Sequence, residues 1–244
     1  GGFAFSRPLN GGDPFKVAKW RVLAGMNFKK VKMIDGDGNK KPYGDMTPTT
    51  GNISDIICIG FTPNDGSCPA ENTLVSIIAS TSRNNLNNSV NPTSGNKFTF
   101  GSEQFVPLGE NSPTFNRMKA SYSYFIPTKL INLTKACRSS DSNSENCPQA
   151  IGFQFKAGTT IGQLPPYEAF CMGGTSSVRG WGSCELAVSK SFVEGTAEYR
   201  FPIWRMLSGA FFVDAGSDLG SQNDVKGKPG KLLQKSCLLY TSPS

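Results

Sequence analysis

Residues 172–181, MGGTSSVRGW, gather three hydroxyls (Thr175, Ser176, Ser177) and one guanidinium, Arg179, among Gly173, Gly174 and Gly180. A hydroxyl nucleophile needs a base, and the chain contains no His. That removes Ser-His-Asp and Cys-His catalysis and His-containing zinc sites. No Gly-x-Ser-x-Gly elbow surrounds these hydroxyls either, so a non-enzymatic role without a cofactor is expected. What remains is arginine chemistry. The guanidinium is a rigid fork suited to bidentate pairing with a carboxylate, and the neighbouring glycines let the backbone turn tightly and approach a wall.

Other ligand-like patterns are weaker. Asp35-Gly-Asp37-Gly-Asn39 opens like a calcium loop, but Lys40 stands where the loop needs Gly and Met46 where it needs a bidentate Glu. It reads as a solvated turn, and no metal is expected. The net charge is +7, yet Lys and Arg are scattered without a dense basic run, which argues against nucleic acid and for charge on a lumen and a lipid-facing surface. Residues 237–244, CLLYTSPS, resemble the translation of a sequencing adaptor and are set aside, leaving residues 1–236 as the folded unit. The other six cysteines fall into local pairs: Cys58 with Cys68, Cys137 with Cys147, and Cys171 with Cys184. Confinement of each pair to one predicted loop favours three disulfides and an oxidising compartment, with six free thiols as the alternative.

The elements that must position Arg179 read as strands. Abundant Gly and Pro (27 and 16) argue against a helical bundle. No apolar run is long enough for a membrane helix, a test that says nothing of β-barrels. Alternation of period two is clear in three segments. Met118, Ala120, Tyr122, Tyr124 and Ile126 oppose Arg117, Lys119, Ser121 and Ser123. Ile151, Phe153, Phe155, Ala157 and Ile161 oppose Gln154, Lys156 and Thr160. Val193, Ala197, Tyr199, Phe201 and Ile203 oppose Glu194, Thr196, Glu198 and Arg200. Further strands are predicted near residues 2–8, 20–33, 74–83, 97–107 and 207–216, eight in all. Their length of roughly 10 residues suits a tilted membrane strand better than a soluble sheet. The fold class is therefore all-β, a transmembrane antiparallel β-barrel, with residues 163–190 as a long loop folding back into it. By the same alternation Glu198 and Asp214 point into the lumen from adjacent strands.

LPPYEAFCMGGTSSVRGW resembles the inward loop of the BamA-type superfamily of outer-membrane assembly and translocation proteins, the surface-antigen barrel, whose hallmark is VRGF or VRGY after Gly-Gly. The PPYEAF form is similar to the cyanobacterial and plastid branch, which includes the chloroplast import channel. Downstream, TAEYRFPIW and FFVDAG resemble the family's next two strands, the second fitting Phe-x-Asp-x-Gly at Phe212, Asp214 and Gly216. Here the motif aromatic is Trp181, where the family has Phe or Tyr.

The resemblance implies that Gly173, Gly174, Val178, Arg179, Gly180 and Trp181 form the functional loop motif and that Arg179 binds Glu198 and Asp214 inside the lumen. It implies insertion of β-barrel proteins, or protein translocation, in a bacterial outer membrane or plastid outer envelope. The expected partners are unfolded β-barrel clients, outer-membrane lipid and POTRA domains of the same full-length chain, with no nucleic acid. Relative to the family's barrel the chain is expected to lack the earliest and last strands. A two-partner secretion pore and a passive porin or adhesin are the alternatives.

Overall fold

The structure, a computed structural model, describes residues 1–10, 19–34, 37–40, 69–108, 112–138, 147–204, 207–221 and 239–241. Long strands run antiparallel in chain order: β1 (Gly2–Pro8), β2 (Trp20–Lys32), β3 (Glu71–Asn84), β4 (Gly95–Val106), β5 (Phe115–Pro127) and β6 (Ala150–Gly162). A small hairpin, β7 (Phe170–Met172) with β8 (Ala187–Ser189), interrupts the series inside the long loop. Then come β9 (Ser191–Trp204), β10 (Leu207–Ser217) and a three-residue β11 (Leu239–Thr241). Nine strands form one sheet in the order β1-β2-β3-β4-β5-β6-β9-β10-β11, and β7-β8 forms a second. The one α-helix among the described residues is a single turn, Lys135–Arg138.

All eight predicted strands are present, several of them longer than predicted. A strand of 14 residues, such as β9, is about 46 Å long and covers about 32 Å when tilted by about 45°, enough for a hydrocarbon core of about 30 Å. The β7–β8 hairpin is an addition that period-two alternation of the long strands did not announce. The sheet is not closed, so β1 and the β10–β11 side are its edges. The β11 residues come from the segment set aside in the sequence; they pair with Asp214, Ala215 and Gly216. Cys58 and Cys68 lie outside the described residues, as does Asp35.

Register fixes which side chains share a face. Opposite residues in an antiparallel pair point the same way, and the partners Glu103↔Arg117, Lys156↔Glu194 and Thr196↔Asp214 place charge and polarity on the concave face. The convex face carries Phe3, Phe5, Trp20, Val22, Phe28, Ile77, Phe100, Tyr122, Phe155, Val193, Phe211 and Val213, all exposed. Apolar outside and charged inside is the pattern of a barrel wall in lipid and inverts that of a soluble sheet. Outward polar groups near the β4–β5 connection satisfy one another: Asn116 Nδ2 donates to Ser102 Oγ (3.1 Å) and to Gln104 Oε1 (3.0 Å). Turns follow from local chemistry. Between β3 and β4, Asn87 Oδ1 accepts from the N–H groups of Thr93 and Ser94, both at 3.0 Å, and Gly95 takes a φ of +100°.

Candidate functional site: an arginine-tipped loop against the inner wall

The segment 163–190 leaves β6 and re-enters the concave side. Its entry is a single 3-10 turn, Pro166–Glu168, that lays Tyr167 and Ala169 on an inward apolar floor of Leu74, Phe105, Phe115 and Leu164. Phe105 and Phe115 stack with centroids 4.0 Å apart. Tyr167 donates its hydroxyl hydrogen to Asn72 Oδ1 at 3.2 Å, and burial of the ring holds its pKa above the ordinary tyrosine value.

Beyond the turn, β7 and β8 pair as Phe170↔Ser189, Cys171↔Val188 and Met172↔Ala187, and Cys171 is bonded to Cys184. Met172, Val178, Leu186 and Ala187 form a buried core within the loop, with Trp181 and Phe192 packed against it. Gly173, Gly174 and Gly180 all have positive φ, at 106°, 96° and 89°, which only glycine adopts without strain. The Ser177 hydroxyl has a structural role: its Oγ accepts from the N–H of Gly173 at 3.0 Å and donates to Glu194 Oε1, while Lys156 Nζ donates to the main-chain carbonyl of Ser176.

At the tip, Arg179 meets β9 and β10. Its Nε and Nη2 donate to Asp214 Oδ2 and Oδ1 at 2.7 and 2.8 Å, a bidentate fork, and its main-chain N–H donates to Asp214 Oδ2 at 3.0 Å. Nη1 donates to Glu198 Oε2 at 2.6 Å, and Arg200 Nε holds the other oxygen of Glu198, also at 2.6 Å. The flat face of the guanidinium lies over Phe212, with Cζ 3.5 Å from the ring centroid. Asp214 is fully buried, and its hydrogen bonds, then those of Glu198, hold the guanidinium pKa above its already high ordinary value. It is a permanent cation between two carboxylates.

Phe212, Asp214 and Gly216 occupy successive inward positions of β10. A Cβ on Gly216 would come within 2.6 Å of Met172 Cε and 2.9 Å of Val178 Cγ2, so the loop core rests directly on that glycine. The Phe-x-Asp-x-Gly spacing is thus a docking surface: a ring beneath the guanidinium, an acid to bind it, and a missing side chain where the loop needs room. Gly158 on β6 has the same character, with Phe192 at 2.5 Å and Phe170 at 3.0 Å from its would-be Cβ.

A second ionic anchor was not among the sequence candidates. Glu168, from the PPYEAF segment, is buried; it accepts from Lys29 Nζ on β2 at 2.5 Å and from Arg117 Nη1 on β5 at 2.8 Å. Arg117 in turn donates through Nη2 to Glu103 Oε2 on β4 at 2.7 Å, and Ser76 Oγ on β3 donates to Glu103 Oε1, also at 2.7 Å. The loop is therefore tied at its base to β2 and β5 and at its tip to β9 and β10. Between tip and wall lies an open cavity of about 290 Å³ reaching from Phe125, Gln154 and Lys156 to Arg200. No group of three or more metal-ligating side chains occurs among the described residues.

The family model described as the Omp85 superfamily domain matches residues 1–241. The chain is 36% identical over 141 residues to Protein TOC75-4, chloroplastic, of Arabidopsis thaliana, covering 58% of this chain and 33% of that protein. It is 38% identical over 82 residues to Outer envelope protein 80, chloroplastic, of the same plant, covering 34% of this chain and 11% of that protein. The rice Outer envelope protein 80 is matched over 93% of this chain and 28% of its own length, at 25% identity. The chain spans a third or less of each of these relatives. Among solved structures, BamA from Haemophilus ducreyi lacking POTRA domains 1-3 shares the fold, with a TM-score of 0.56 and 16% identity over 88% of this chain and 40% of that one.

Proposed function

The chain belongs to the Omp85 superfamily, and from that premise we propose that its parent protein inserts β-barrel proteins into an outer membrane, or moves proteins across one, without catalysing a covalent step. Relatives whose names place them in chloroplasts and the outer envelope support a plastid outer envelope or a cyanobacterial-type outer membrane as its location. Unfolded β-barrel clients, the surrounding lipid and POTRA domains of the same parent chain are the partners. A client strand would be recognised by strand addition, in which main-chain hydrogen bonds supply the affinity.

The observation that carries this reading is the four-bond contact of Arg179 with Asp214 and Glu198 on two adjacent strands. It fixes the loop to the wall at mid-depth, because Glu198 lies about halfway along β9. Glu168 fixes the loop's base to the far strands. Held at both ends, the loop braces the curvature of the wall from inside while the outer face meets lipid.

The test is charge reversal in the parent protein, reconstituted in vesicles and assayed for folding of an unfolded β-barrel client. Arg179→Glu sets a carboxylate against Asp214 and Glu198 and is expected to abolish most assembly; adding Asp214→Arg is expected to restore it in part. Wild-type assembly by Arg179→Glu would overturn the bracing role.

A further inference from the structure

Of the connection between β5 and β6, the described residues 128–131 and 149 pack on the convex side. Tyr199 lies on the outward parity of β9, opposite Ile151 in register, and its hydroxyl donates to Gln149 Oε1 at 2.6 Å and accepts from the N–H of Ile131 at 3.1 Å. Gln149 is 2% exposed. Its Oε1 accepts from the N–H groups of Leu130 and Ile131 at 3.1 and 3.3 Å, and its Nε2 donates to the carbonyl of Ile131 at 2.5 Å. The Cys137–Cys147 bond sits against the same amide, with Cys147 Sγ 3.1 Å from Nε2.

Two features of this segment belong together. The N–H groups of Leu130 and Ile131 and the carbonyls of Ile131, Asn132 and Leu133 are satisfied by protein side chains, as backbone must be where water is scarce and need not be in an ordinary surface loop. At the same time Leu130 and Leu133 are 66% and 49% exposed. They follow Ile126, an exposed outward residue at the end of β5, and lie at the end of the wall where Ile203, Trp204 and Leu207 are also exposed. We propose that residues 128–133 form a membrane-interface anchor, with Leu130 and Leu133 entering the boundary between headgroups and acyl chains on the turn side of the barrel, opposite the side from which the inward loop descends. The disulfide and Gln149 hold the segment in the one conformation that presents both leucines outward while leaving no main-chain donor of Leu130 or Ile131 to the lipid. The proposal rests on the outer-membrane reading above, and the test separates the two.

A photoreactive p-benzoylphenylalanine placed at Leu130, Leu133, Phe155 or Thr175 of the parent protein, in vesicles of phosphatidylcholine and phosphatidylglycerol containing radiolabelled lipid, reports what each position touches. Phe155 is an exposed residue of the mid-wall convex face and Thr175 lines the lumenal cavity. The expected result is lipid label at 130, 133 and 155, several-fold above that at 175. Label at 155 but not at 130 or 133, or capture of protein instead of lipid at those two positions, overturns the anchor and leaves the barrel standing. No lipid label at 155 overturns both.

Discussion

Arg179 directs its main-chain N–H and all three guanidinium nitrogens at two carboxylates, and its flat face at Phe212. Lysine keeps the charge but offers a single point donor without the planar fork. Arg179→Lys is therefore expected to lose part of the contact and Arg179→Ala all of its guanidinium bonds, leaving buried Asp214 with the main-chain N–H but no cation, while Arg200 still holds Glu198. Removing one partner of a buried pair costs about 3–5 kcal/mol, which urea unfolding of the vesicle-folded barrel should show for Arg179→Ala, with Arg179→Lys intermediate. Gly216→Val tests the floor beneath the loop: the new side chain collides with Met172 and Val178, and overpacking of this kind costs about 1–3 kcal/mol. The inward direction of Glu198 and Asp214 was legible from strand alternation alone, because one parity of each strand is apolar. The reason for Gly216 was not, since it depends on how deeply the loop descends, which no local pattern encodes.

At the scale of elements, the loop is a small folded unit with its own hairpin, disulfide and apolar core. Closing a loop of this length restricts the unfolded chain by about 3 kcal/mol in the entropic account of disulfides. Such a unit moves as a body, so its two anchors act in parallel. Glu168→Ala alone leaves the tip bound and Arg179→Ala alone leaves the base bound. Limited proteolysis of the folded barrel is expected to show small gains in cleavage within residues 163–190 for each single variant and a much larger gain for the double variant. Full cleavage in Glu168→Ala alone would mean that the tip contact does not hold the loop. Glu168 escaped the sequence reading for a physical reason. It sits in a segment without alternation, and its partners Lys29 and Arg117 lie 139 and 51 residues away, so only the successive registers of β2, β3, β4 and β5 bring them to one place. The outward packing of Ile131 and Gln149 was hidden in the same way, because Gln149 and Tyr199 meet only across the β6–β9 pairing.

For the whole molecule, the curved sheet and the loop form a chord across an arc. Lys29 on β2 and Asp214 on β10 stand near opposite ends of the strand order, and the loop links both. From within, the curvature is held by the loop's apolar contacts with Leu74, Phe105, Phe115 and Gly216 and by charged side chains organised around Glu168 and Arg179. This is why the strand plan was readable from period-two patterning while the bracing was only half readable: alternation records which face a residue takes, not which distant strand faces it. The claim that the loop is fixed to the wall through Arg179 is tested most directly by a double-mutant cycle between Arg179→Ala and Asp214→Ala, read by urea unfolding in vesicles. Direct contact predicts a coupling of at least about 1.5 kcal/mol; additivity within about 0.5 kcal/mol, the behaviour of independent sites, would contradict it.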